Sequence, residues 1–312
     1  MADLVSVLIP CFNAESRVAL AIESALRQTY RKLEVVVLDD GSTDGSLREI
    51  QRFASLGNFR FETGPNRGGS AARNRLIELA SGEYIQFLDA DDELLPPKVA
   101  RCLMALTSDA DVAWCDYLRV EGSTQQVISC RLPESSDGIL PHLIVNNIQT
   151  SSPLHRRDHL RAIGGFDTSL RCCQEYDLHI RLAQHRWRTV VHVDEPLFRV
   201  NRIAGSVSSN YIKVAIQAVD LLERMAMDLE RSGQWSTALR RSIALAAEGH
   251  GRSLARRGRR REARGALDLA RRVSFHDRVR VSACNRALSM LLGPIAAESV
   301  LGKLRLLIPS RH

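Results

Sequence analysis

The chain has 312 residues, 45% of them hydrophobic and 5% aromatic, enough for one large buried core and an appendage. Its seven cysteines are odd in number, scattered and without a Cys-x-x-Cys pair, which argues against a disulfide scaffold or a zinc site and for reduced thiols in a cytosol. The net charge of +7 divides unevenly: residues 207–312 carry 20 basic against 9 acidic side chains, and residues 1–206 carry 23 against 27. A mildly acidic part suited to cations thus precedes a basic part suited to an anionic surface.

Residues 4–9 form a short apolar run ending at Pro10, the pattern of a buried strand. Val18, Ile22, Ala25 and Leu26 then recur at helical spacing. A second strand is expected over 33–38, closed by the turn and cap sequence Asp39-Asp40-Gly41-Ser42. A third is expected over 59–62, a helix over 71–79, and a fourth strand over 84–88 that runs into Asp89-Ala90-Asp91-Asp92. Pro96 and Pro97 suit the first turn of a further helix, and residues 112–115 read as a fifth strand. Strands alternating with helices predict an α/β fold with a mostly parallel sheet, whose ligands bind beyond the carboxyl ends of the strands. From about residue 211 the strand signals stop; residues 247–273 read as an α-hairpin with Gly258 in its turn and Gly251, Ala263 and Ala270 as small packing residues.

Three strand ends deliver polar groups to one rim. Asp89 and Asp91, two apart on an irregular turn, can approach one hard cation together; the plainer reading is an acidic turn before a helix. Asp39 and Asp40 can accept hydrogen bonds from a nucleobase or ribose, or cap the next helix with Ser42 and Asp44. Residues 66–74 (Asn-Arg-Gly-Gly-Ser-Ala-Ala-Arg-Asn) suit close approach of backbone to a phosphate, with Arg73 as a cation, but lack the Gly-Lys-Ser/Thr ending of a P-loop. His155, His159, His179 and His185 have no metal-ligand spacing, and His179 reads as structural.

Together, residues 5–13 (Val-Ser-Val-Leu-Ile-Pro-Cys-Phe-Asn), 36–44 (Val-Val-Leu-Asp-Asp-Gly-Ser-Thr-Asp), 72–74 (Ala-Arg-Asn) and 82–92 (Gly-Glu-Tyr-Ile-Gln-Phe-Leu-Asp-Ala-Asp-Asp) resemble glycosyltransferase family 2, with a likeness running over about residues 4–208. That resemblance implies a GT-A type fold, Rossmann-like, with a mixed, mostly parallel sheet flanked by helices. It further implies a nucleotide-sugar donor, a divalent metal (Mn2+ or Mg2+) and inversion at the anomeric carbon. By it, Pro10, Phe12, Asn13 and Glu15 line the nucleotide pocket, Asp39 contacts the base, Asp89 faces the ribose and Asp91 the metal and diphosphate. Gln174-Glu175-Tyr176-Asp177-Leu178 matches the acceptor segment, where relatives carry Glu-Asp with the second acid as base; Glu175 is accordingly the expected base and Asp177 the reserve. Where relatives often have a histidine before Gly-Ser, this chain has Asn201 and Arg202, so Arg199 or Arg202 is a candidate for the diphosphate.

The expectation is therefore an inverting transferase using a uridine diphosphate sugar and a glycan or lipid-linked acceptor, in cell-surface glycan or polysaccharide assembly. Its domain would span 1–208, with a donor half over 1–117 and an acceptor half over 118–208. A non-catalytic nucleotide-sugar-binding relative and a sugar nucleotidyltransferase are the alternatives. The basic extension over 209–312 is not expected to bind nucleic acid, since no aromatics interleave with its arginines. Anionic lipid is the preferred partner, with the apolar pattern over 286–308 lying along a membrane or docking on the catalytic domain. With no stretch long enough to span a bilayer and no leader signal at the start, the expected location is cytoplasmic, peripheral at the inner face of the membrane.

Overall fold

A computed structural model describes residues 3–106, 110–132, 138–202 and 210–274. Contacts divide the chain into two compact units, Met1–Ser135 with Asn147–Ser206, and Ser136–Asn146 with Val207–His312.

The first unit is built on a mixed sheet. Strands β1 (Val5–Cys11), β2 (Leu33–Asp39), β3 (Phe59–Thr63) and β4 (Tyr84–Phe87) run parallel in the order β3-β2-β1-β4, linked by α1 (Val18–Leu26), α2 (Ser46–Gln51) and α3 (Gly69–Leu79). Helices on both faces explain why β1 and β2 are apolar almost throughout. The chain steps outward from β1 to β2 and β3, then returns to place β4 on the other side of β1. Such a reversal opens a crevice at the carboxyl ends of β1 and β4. Beyond β4 come β5 (Glu93–Leu94), α4 (Lys98–Ala105), β6 (Val112–Glu121) and β7 (Thr124–Ile128). After α5 (Ile139–Val145), which belongs to the second unit, follow β8 (Leu154–Arg156), α6 (Arg157–Ala162), α7 (Gln174–His185) and β9 (Val190–Asn201). Strand β8 lies antiparallel between β4 and β6, while β9 pairs parallel with β6 and antiparallel with β5.

Periodicity located the first four strands but not the second half of the sheet. The expected strand over 112–115 continues to Glu121 and turns through Gly122 (φ +59°) into β7, whose exposed polar residues carry no buried face to signal it. Strand β8 is three residues long, and β9 is mostly half-buried, so neither gives a clean alternation. Pro97 is the N-cap of α4 rather than a residue of its first turn.

Close packing of the sheet is set in part by Gly82, whose N–H donates to Ser6 Oγ at 2.8 Å. A Cβ there would stand 2.6 Å from Ser6 Oγ and 2.7 Å from Ser6 N, against the backbone of a central strand. Gly82→Ala is expected to destabilise by about 1–3 kcal/mol, the usual cost of overpacking. A urea midpoint equal to wild type would show that β1 can yield.

In the second unit α5 packs on α9 (Thr237–Arg256), which also packs with α8 (Tyr211–Ser232) and α10 (Arg260–Ser274). Asn210 and Ser236 cap α8 and α9 by accepting Lys213 N–H (3.3 Å) and Leu239 N–H (3.1 Å). The expected hairpin is present as α9 and α10, turning at Gly258 (φ +75°). Gly251 lets the two helices close: a Cβ there would meet Leu267 Cγ at 2.9 Å. Among the described residues no helix is long and apolar enough to cross a membrane. The apolar pattern over 286–308 and the Gly-Ser of residues 205–206 lie outside the described residues.

Candidate active site

The crevice edge is assembled by two loops that hold each other. At the end of β1, Asn13 adopts a left-handed conformation (φ +50°) and its Oδ1 accepts Thr43 N–H (2.8 Å) and Thr43 Oγ1 (3.3 Å). Main-chain N–H groups of Asn13, Ala14 and Glu15 donate to Ser42 Oγ (2.9 Å), Ser46 Oγ (2.8 Å) and Asp44 Oδ2 (3.1 Å). Glu15 answers by accepting Gly45 N–H (3.1 Å) and Arg48 (2.9 Å). Asn13 and Glu15, expected on the nucleotide, are thus engaged in joining the β1 and β2 loops. Phe12, just before Asn13, is 49% exposed. Pro10 is tolerated in β1 because the β4 ladder has ended at Leu8, whose carbonyl accepts Leu88 N–H (3.0 Å).

Asp39 ends β2 almost fully buried, with Oδ1 accepting Ser42 N–H (3.3 Å) and Oδ2 accepting Thr63 Oγ1 (2.8 Å). Asp40 receives Arg67 N–H (2.8 Å) on one oxygen and Gly68 N–H (2.9 Å) on the other, so its carboxylate shapes the loop entering α3. Gly41 (φ +75°) allows that loop to approach, since a Cβ there would lie 2.6 Å from Asn66 N.

Past β4 three carboxylates crowd into four residues. Burial, then Asp89, raises the Asp91 carboxyl above the ordinary range; Asp92 is raised well above it by burial, then by Asp89 and Asp91. Asn201 braces the turn, its side chain donating to Asp91 O (2.7 Å) and its N–H to Asp92 Oδ1 (3.0 Å). That work falls to Asn201 where relatives were expected to carry a metal-side histidine.

Arg73, the expected cation for a phosphate, is spanned between two partners. One guanidinium nitrogen pairs with Asp89 Oδ1 (2.6 Å) and another donates to Gln174 Oε1 (3.0 Å), while the group lies over the Phe166 ring at 5.6 Å. Next to it, Asn74 exchanges two hydrogen bonds with the main chain of Phe166, at 2.8 and 2.7 Å. Gly165 (φ +69°) is required there, because a Cβ would stand 2.3 Å from Asn74 Oδ1. Helix α3 therefore fixes the segment leading to α7, a role that the sequence motif around Arg73 and Asn74 marked without explaining.

Helix α7 starts at Cys173, which is left-handed (φ +57°) and buried. Among the described residues Asn13 and Cys173 are the two non-glycines with positive φ, and such strain tends to gather at functional sites. Gln174 is used twice, its Nε2 donating to Leu170 O (3.0 Å). Glu175 is half-buried and accepts Asn147 Nδ2 at 2.9 Å. Asp177 pairs with Arg181, with both contacts on Oδ2 (2.6 and 2.8 Å).

Two further clusters lie in this unit. Asp116, His192 and Asp194 offer three donor atoms within 4.8 Å, but Asp116 Oδ1 already holds Cys130 N–H (2.7 Å) and His192 Nε2 (2.7 Å). Periodicity missed this group because a register shift between β6 and β9 creates it. His155 and His179 stack on Trp187 at 5.6 Å, fully buried, in keeping with a structural role.

A doubly wound sheet carrying an acidic turn and an acid-bearing helix at its switch-point edge defines the GT-A class of nucleotide-sugar transferase folds. Among solved structures, S. aureus TarS 1–349 in complex with UDP-GlcNAc superposes with a TM-score of 0.70 at 18% identity, covering 99% of this chain and 93% of that one. The mannosyltransferase PcManGT from Pyrobaculum calidifontis, in complex with GDP-Man and Mn2+, gives 0.62 at 16% identity, over 100% and 89% of the two chains. The model of glycosyl transferase family 2 matches residues 6–163, and the chain belongs to that family. It is 30% identical to a chondroitin synthase of Escherichia coli over 237 residues, which are 74% of this chain and 33% of the synthase. To the uncharacterised glycosyltransferase YibD of Escherichia coli it is 41% identical over 128 residues, 39% of this chain and 37% of the other. The chain thus spans about a third of the length of these two relatives.

Proposed function

We propose that this chain transfers a sugar from a nucleoside-diphosphate donor, a uridine diphosphate sugar, to a hydroxyl of a growing glycan, with inversion at the anomeric carbon. The observation that carries this reading is the linkage Asp89–Arg73–Gln174, which ties the acidic turn after β4 to the helix bearing Glu175. Residues 1–117 act as the donor half. The exposed Phe12 ring offers a face for the nucleobase and Asp39 retains lone pairs for its N–H groups. Residues 118–208 act as the acceptor half. Glu175 takes the proton from the acceptor hydroxyl as that oxygen attacks the anomeric carbon opposite the departing diphosphate. The likeness to a chondroitin synthase supports a polysaccharide acceptor.

A divalent cation fits the acidic turn. Burial and mutual repulsion raise Asp91 and Asp92, a cost that a bound cation would relieve, and carboxylate oxygens suit Mn2+ or Mg2+. Asp91, with Asp89, would hold it, and it would supply charge neutralisation at the diphosphate. The test is calorimetric binding of UDP, GDP and their sugars with and without Mn2+. Tight metal-dependent binding of one nucleotide is expected, weakened about tenfold or more in Asp91→Asn. Absence of binding to every nucleotide by a folded preparation would overturn the donor site.

A further inference from the structure

Glu175 has one arm fixed from outside its own helix. Asn147 Nδ2 donates to Glu175 Oε1 at 2.9 Å, bridging 28 residues of chain. The backbone just after Asn147 is anchored to the core: Ile148 is buried, Ser152 N–H donates to Gln149 O (3.0 Å), and Ser151 O and Ser152 O accept Gln86 Nε2 (2.9 Å) and Lys98 Nζ (2.8 Å). On the other side Glu175 stands in the first turn of α7, whose start is set by Cys173 and by the two bonds of Gln174. Both ends of the Asn147–Glu175 bond are therefore carried on held main chain, although Asn147 itself is exposed.

A glutamate carries its carboxylate one methylene further from the main chain than an aspartate does. The extra methylene adds a rotatable bond, and an acid that samples several rotamers spends less time aligned with the acceptor hydroxyl. We propose that Asn147 is a positioning residue that compensates for this longer arm. Its amide holds Oε1, so Oε2 is left to receive the proton. An amide suits the task because its N–H2 only donates: it neither takes the proton nor competes as a base. The proposal rests on the reading of Glu175 as the base.

A double-mutant cycle tests it, read as UDP release from a panel of UDP-sugars with glycan acceptors, alongside calorimetric binding of UDP. Asn147→Ala is expected to lower kcat about 10- to 100-fold through misalignment. UDP affinity should stay within about twofold, because the side chain of Asn147 bonds Glu175 in the acceptor half. Asn147→Asp, similar in shape but unable to donate when ionised, should fall below Asn147→Ala. In the Glu175→Asp background the shorter arm no longer reaches Asn147, so the same alanine substitution should cost less than about threefold, a strong coupling between the two positions. Additive penalties, or an unchanged kcat in Asn147→Ala, would overturn the positioning role. Full activity in Glu175→Gln would instead overturn the base assignment beneath it, so the two failures are told apart.

Discussion

Replacing Glu175 by glutamine is expected to reduce turnover about a hundred- to ten-thousand-fold, the range for loss of a positioned general base. The substitution keeps the shape of the side chain and can still meet Asn147, so folding and nucleotide affinity should match wild type. Asp177→Asn gives the contrast. That carboxylate is held on Oδ2 by Arg181, at 2.6 and 2.8 Å, and its loss should loosen α7 without abolishing turnover. Steady-state rates on a purified preparation, with UDP binding measured on the same samples, decide between them. If Glu175→Gln retained the wild-type rate while Asp177→Asn lost it, the base would be Asp177, and the salt bridge to Arg181 would have to open during the reaction.

A large loss of stability is expected as the pH falls from 7 to 5. Burial lowers the His179 imidazole to about 3, and burial followed by the His179 charge lowers His155 well below its ordinary value. Neither ring finds a hydrogen-bond partner for either nitrogen, and the two stack with centroids 5.9 Å apart, so a proton on one repels a proton on the other. The unfolded chain binds protons on these residues near pH 6.5 and the folded chain does not. Stability is therefore fully present above about pH 6.5 and falls steadily as pH drops toward 3. For His179 alone the loss reaches about 2 kcal/mol at pH 5, and His155 adds to it in the same direction. Urea unfolding followed by tryptophan fluorescence suits the test, since Trp187 stacks on both rings. His179→Phe should flatten the slope between pH 7 and 5; an equally steep slope in that variant would assign the acid sensitivity elsewhere.

Much of the donor half was legible in the amino-acid sequence, because short buried strands followed by polar turns leave a local record. Residues 4–9, 33–38 and 84–88 are apolar runs long enough to name as strands; Asp39 and Asp89 follow the last two directly, and Asn13 comes four positions after the first. Burial on both faces imposes that pattern and needs no knowledge of partners. The acidic turn and the family's motif order were equally local. Tertiary structure alone assigned tasks to these residues. Asp40 and Glu15 have the composition of ligand-binding acids, yet their oxygens are taken by Gly68, Arg67, Gly45 and Arg48. Arg73 reads locally as a phosphate cation, and the fold sets Asp89 and Gln174 on either side of it, Gln174 from 101 positions away. Asn147 carried no signal, because the carboxylate it bonds lies on a helix 28 residues downstream. The sequence by itself determined the parallel first half of an α/β sheet with acids at its carboxyl edge, since hydrophobic periodicity and turn chemistry are written between neighbours in the chain. Which acids close loops and which one meets Asn147 depended on hydrogen bonds closed across long stretches of chain, and only the folded molecule decided those.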